Sequence, residues 1–180
     1  MSKYAAKLSA KDGAAYDDFG FCQAGSNCIS SDGSTVLVGA PQDNFSTGTA
    51  TGPGKAYIFV KPQKGWKTTS AFTAKLTASD GATGDLLGWS AAISNNTALV
   101  GAVGGNGGNG GNGEAYVFSK PKAGWKTTSK FAAKLIASDG APGDAFGFCV
   151  SISGNTAVIG AVNHPYSSGA GPGAAYVFGP

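Results

Sequence analysis

The chain has 180 residues, 42% of them hydrophobic and 13% charged, with a formal net charge of +3. That length and apolar content support one sizeable core, which argues against disorder throughout. The lysines are spread along the chain and form no concentrated basic face, which argues against nucleic acid as a partner. No apolar run approaches the roughly 20 residues of a bilayer-spanning helix, and the opening MSKYAAKL lacks the apolar segment of a signal peptide.

Thirty Gly against one Met is poor material for helix and good material for short strands joined by tight turns. Residues 3–10, KYAAKLSA, alternate and run into an Asp-Gly, so a strand is expected there. After the loop KDGAAYDD come FGFC and the insert QAGSNC, then a strand pair turning at Ser31-Asp32-Gly33-Ser34 with TVLVGAP as its second member. A polar loop over 42–54 leads to the strand KAYIFVKP (55–62), the turn QKGW, and a strand in KTTSAFTAKLTAS (67–79).

The order then repeats. Residues 65–102 and 124–161 share about two-thirds of their residues at a spacing of 59 positions. In the second unit the strands are LLGWSAAIS, TALVGAV, EAYVFSKP and KTTSKFAAKLIAS, with a turn at Asn95-Asn96 and a loop GGNGGNGGNG. The third runs through FGFCVSIS, a turn at Gly154-Asn155, TAVIGAV, the loop NHPYSSGAGPG and AAYVFGP.

Units of 40 to 60 residues that each hold a few short strands stack side by side, because none buries its apolar face alone. The expected architecture is all-β: a single repeat domain over 1–180, with blades of four antiparallel strands at about 11–79, 80–138 and 139–180, in the manner of a β-propeller. The third unit offers no outer strand, whereas residues 3–10 form one with no blade before it. Three blades are too few for a ring, since known rings carry roughly four to eight. The expectation is a homodimer of six blades in which Tyr4–Ala10 of one chain completes the blade of Ala174–Phe178 in another. A fragment of a longer propeller, or an open filament, are the alternatives.

Three cysteines exclude a fully paired set within the chain. Cys22 and Cys28 either close a small loop or lie as buried thiols on an inner strand, since both align with Cys149; buried thiols are the plainer explanation.

The segments FGFCVSIS…TAVIGA and LGWSAAIS…TALVGA, with VGAP at 38–41 and the AYIF and AYVF strands, resemble the FG-GAP repeat of integrin α-subunit propellers. They are closer still to bacterial proteins with tandem repeats of this type. The resemblance implies a β-propeller that is secreted or at the cell surface and acts as a binding or adhesion module, not an enzyme. Its ligand is a glycan or a surface protein; the alternative is a self-assembling scaffold built by strand exchange. The calcium loops of integrin-type repeats do not carry over. The hairpins at 31–34, 95–96 and 154–155 are too short, and too poor in carboxylate, to supply six to eight oxygens. No metal and no cofactor is expected.

Seven of the ten acidic residues, Asp12, Asp17, Asp18, Asp80, Asp85, Asp139 and Asp144, fall in the connectors between blades. As a ligand surface, Asp80, Asp85, Asp139 and Asp144 would ring one face beside the variable loops, with His164 and Tyr166 of the third loop. As turn formers, the second Asp of each connector would accept hydrogen bonds from backbone amides, and its recurrence in every blade favours that role. Trp66 and Trp125, in lysine-rich turns on the opposite face, would stack sugars or else pack over the outer strands. No general base stands beside a nucleophile, so no catalytic residue is expected.

Overall fold

The structure, a computed structural model, describes residues 3–22, 26–44, 46–105, 111–164 and 171–179. Among these there is no helix, and hence none long and apolar enough to cross a membrane.

The first blade opens with β1 (Ile29–Ser31) and β2 (Thr35–Ala40). Asp32 makes the turn between them: its Oδ1 accepts the amides of Ser34 and Thr35 at 3.0 and 2.8 Å, which is why Asp suits that position. A two-residue hairpin, β3 (Asp43–Asn44) and β4 (Thr49–Ala50), forms within the following loop. Then β5 (Lys55–Val60) pairs with β2, and β6 (Ala74–Leu76) closes the edge.

The second blade is β7 (Leu87–Ser94), β8 (Thr97–Ala102), β9 (Glu114–Ser119) and β10 (Ala133–Leu135). The third is β11 (Phe146–Ser153), β12 (Thr156–Ala161) and β13 (Ala174–Phe178). Each blade is an antiparallel sheet ordered from inner to outer strand. The first two have four strands and the third has three, and the blades do not close a ring among the described residues.

Stacking of blades explains the run of buried residues along β7, which has a neighbour on both faces. Leu37, Ile58 and Leu76 of the first blade meet Ala91, Ile93, Val100, Tyr116 and Phe118 of the second. Leu99 and Ala115 of the second meet Phe146, Val150 and Ile159 of the third. Each fully buried side chain of this size contributes roughly 1.5–3 kcal/mol. The far face of the first blade holds Val38, Tyr57 and Phe59, covered by Leu8, Ala10 and Phe19. β13, with nothing against its outward face, alternates half-buried and exposed.

Glycine sets how closely the blades approach. Gly88 has φ +98°, and a β-carbon on Gly39 would overlap its carbonyl oxygen. β7 and β11 shift register beside Gly88 and Gly147, between Leu87 and Ser90 and between Phe146 and Cys149. Bulges of this kind bend a strand toward its neighbour.

Four expectations are corrected. Cys22 and Cys28 form a disulfide, with α-carbons 5.2 Å apart, within the usual range for such a bond. Cys28 takes the buried strand position, its carbonyl accepting the amide of Gly39, and Cys22 folds back over it on the exposed side. The insert therefore displaces FGFC from the inner strand, which begins only at Ile29. Within 67–79 only Ala74–Leu76 is strand, because Thr68 and Thr69 bond instead to Lys7 and Ser9. Residues 3–10 form no strand in this molecule: Leu8 makes a single parallel bridge to Thr69, there being no sheet of its own for it to extend.

Candidate ligand face

The connectors between blades share one construction. The amide of Gly13, Gly81 or Gly140 bonds back to the carbonyl of Ala10, Ala78 or Ala137. Next, Oδ2 of Asp17, Asp85 or Asp144 accepts the amide of Ala14, Ala82 or Ala141 at 2.8, 2.7 and 2.8 Å. These three aspartates are buried. Asp85 and Asp144 therefore hold the turn and do not line an open ligand surface. Burial raises the Asp85 carboxyl above its usual range, and the Ala82 amide only partly offsets this.

The first aspartate of each connector reaches the two outer strands of its blade. Tyr57 Oη donates to Asp12 at 3.0 Å, and Lys75 Nζ lies 2.8 Å from the same carboxylate. Tyr116 Oη donates to Asp80 at 3.2 Å, and Lys134 Nζ lies 2.7 Å from it. Tyr176 Oη donates to Asp139 at 2.9 Å. Burial pushes Asp12 and Asp80 up, but their lysine and tyrosine partners outweigh it and hold both below the usual carboxylate range. The third blade, lacking an outer strand, has no lysine here, and Asp139 is 62% exposed against 33% and 41% for Asp12 and Asp80.

Each blade decorates this frame differently. In the first, Lys55 pairs with buried Asp17 at 2.9 Å and Gln42 Nε2 donates to it. In the second, Glu114 accepts from Tyr116 at 2.6 Å and from Lys134 at 3.0 Å. In the third, His164 Nδ1 sits 2.6 Å from Asp144 and Nε2 sits 3.5 Å from Asp139. The Asp144 bond raises the imidazole pKa, burial opposes it, and Asp139 adds to the rise. Burial and then the Asp139 bond push the Tyr176 phenol up to about 12.

His164, Asp139 and Tyr176 thus come together in the third blade. The Tyr and Lys partners were missed by sequence reasoning, although their signal is plain: Tyr recurs at 57, 116 and 176, and the AKL lysine at 7, 75 and 134. Also missed was Asp43, whose Oδ1 is buried with no hydrogen-bond partner among the described residues, like Oδ2 of Asp18. Burial raises both carboxyls, and for Asp18 the neighbouring Asp43 and Asp17 charges add to it.

The variable loops rest on these connectors. The amides of Gln42, Gly104 and Asn163 bond to the carbonyls of Asp17, Asp85 and Asp144, so loops and connectors occupy one face. Tyr166 lies outside the described residues. Trp66 is half-buried against the cluster of Val38, Tyr57 and Phe59. Trp125 is a core residue at 8% exposure. Stacking a sugar needs an open ring face, so Trp125 is withdrawn as a sugar platform. Among the described residues no three of His, Cys, Asp or Glu converge to hold a metal ion.

Antiparallel blades of three or four strands, stacked face on face by paired glycines and crowned on one side by loops, define a propeller-type repeat protein. The family model for the FG-GAP repeat matches residues 4–59, 71–118 and 130–178, and the chain belongs to that family. No curated protein matches it. FG-GAP repeats are commonly adhesion or binding modules, are generally non-enzymatic, and occur in extracellular or surface proteins.

Proposed function

We infer that this chain is a non-enzymatic binding or adhesion module, acting outside the cell or at its surface, that presents loops 42–54, 103–113 and 162–173 to a glycan or a protein. The observation that carries the reading is the common seating of these loops on the connectors through Gln42, Gly104 and Asn163. The frame repeats from blade to blade while the loops differ most, and variable loops on a rigid scaffold are where recognition resides. The Cys22–Cys28 bond supports an oxidising compartment.

The test is a screen of the pure chain on a glycan array and against extracellular proteins, repeated with loops 42–54 and 162–173 each replaced by a short Gly-Ser turn. Binding that is lost with the loops while circular dichroism is unchanged supports the reading. Binding indifferent to both replacements, or none on either panel, overturns it. A second reading, a scaffold of exchanged strands, is favoured by the open outer edge of β13; fibres in negative-stain images would decide for it.

A further inference from the structure

Residues 7–9 are placed against the first blade just as the outer strand of the first blade is placed against the second. Lys7 N donates to Thr68 Oγ1 at 3.1 Å, the amide of Thr69 to Lys7 O at 3.0 Å, and the amide of Ser9 to Thr69 O at 3.2 Å. One blade along, Lys75 N donates to Thr127 Oγ1 at 3.1 Å, Thr128 to Lys75 O at 3.0 Å, and Thr77 to Thr128 O at 3.1 Å. The segment therefore stands where the outer strand of a preceding blade belongs. Its sequence, SKYAAKL, matches SKFAAKL at 129–135, which contains β10.

The third blade carries the complementary gap. Val158 and Val177 correspond to Leu37 and Ile58, both fully buried between the first two blades, yet Val177 is 70% exposed. Asp139 lacks the lysine that Asp12 and Asp80 have. Phe72 and Phe131 pack 5.0 Å from Tyr57 and Tyr116, whereas Tyr4, which takes their place in the sequence, is 77% exposed.

We propose that the third blade is completed by residues 3–10 of a second copy of this chain, so that two copies close one six-bladed ring. In the register of Ala133 with Val117 and Lys134 with Tyr116, Ala6 of the partner subunit faces Val177 and Lys7 of the partner subunit faces Tyr176. The partner's Lys7 then joins Asp139 beside His164, and the partner's Tyr4 packs on Tyr176. A second copy is the occupant because the described residues hold both such a segment and such a gap, and a two-fold arrangement seats each copy's segment in the other's gap. Six blades also fall within the range of known rings. The inference stands without any ligand for the loop face.

The experiment uses the full chain. Light scattering at tens of micromolar should give twice 17.7 kDa. Lys7→Glu or Asp139→Lys alone places like charges together and should raise the dimer dissociation constant about tenfold or more, and the two combined should recover it. Independently, Ala6→Cys with Val177→Cys, in a Cys149→Ser background, should oxidise to a species of two chains on a non-reducing gel. A single-chain mass for a folded sample, a charge pair that is not rescued, or a cross-link confined to one chain overturns the proposal. A ladder beyond two chains overturns the closed ring.

Discussion

Gly101 of β8 and Gly147 of β11 meet backbone to backbone, so that a β-carbon on Gly101 would overlap the Gly147 carbonyl oxygen. Ser90 Oγ donates to that same oxygen at 2.7 Å in a buried setting. Gly101→Ala should cost about 2–3 kcal/mol or more, since backbone on both sides cannot yield as a side chain can. Gly179→Ala, with its nearest neighbour at 3.6 Å, should stay within about 0.5 kcal/mol. Urea unfolding of the two variants checks this, and equal midpoints would refute it.

Tyr116→Phe should destabilise by about 1–3 kcal/mol, because the one phenolic proton that Glu114 and Asp80 share, held mainly by Glu114 at 2.6 Å, is lost and Glu114 is buried. Tyr176→Phe removes one bond to an exposed carboxylate and should cost less than about 1 kcal/mol. Differential scanning calorimetry at pH 7 should show the larger drop in Tm for Tyr116→Phe.

His164 should make the stability of the chain pH-dependent. Its folded pKa is raised above the ordinary imidazole value, chiefly by the Asp144 bond. Its contribution is therefore complete below the unfolded pKa, about 6.5, and is lost as pH rises through the folded value. Melting curves between pH 5.5 and 8.5 should show a decline in the native chain that His164→Gln flattens; parallel curves would count against it.

Asp43 should be a position of gain. Its raised folded pKa means that its stabilising effect exists only below the unfolded pKa and is lost as pH rises through the folded one. At pH 7 the buried, unpartnered Oδ1 is a cost, so Asp43→Asn should stabilise by about 0.5–1 kcal/mol. The gain should vanish near pH 3, which denaturant titrations at the two pH values would reveal.

Reduction of Cys22–Cys28 should lower stability by about 2 kcal/mol for so short a loop. Matched unfolding curves with and without a reductant, on Cys149→Ser, measure it.

The blades were legible because the signals were local. Asn95-Asn96 and Gly154-Asn155 mark hairpins between apolar runs, and each run became a strand. The disulfide was not legible, since Cys22 and Cys28 aligned equally well with one strand position and only the fold shows that one occupies it while the other folds back. Tyr57 and Tyr116 lie in strands that the AYIF and AYVF runs predict; that their hydroxyls reach the connector before their blade follows from strand order, which a local run does not encode. Tyr4–Ala10 reads as strand from its alternation, yet among the described residues it makes only the Leu8–Thr69 bridge, because alternation does not say whether a partner strand lies beside it. Asp85 and Asp144 carried the turn role that their recurrence suggested.

Asn27 stands at the hub. Its carbonyl accepts the amide of Ala91, its Nδ2 donates to the carbonyls of Ala91 and Val150, and its Oδ1 accepts the amide of Val150. In a linear array each module touches only the next, and modules melt with some independence. One side chain of the first module here spans 123 positions to fasten the third, so the three modules gain and lose their order together, and calorimetry of the native chain should trace a single cooperative transition.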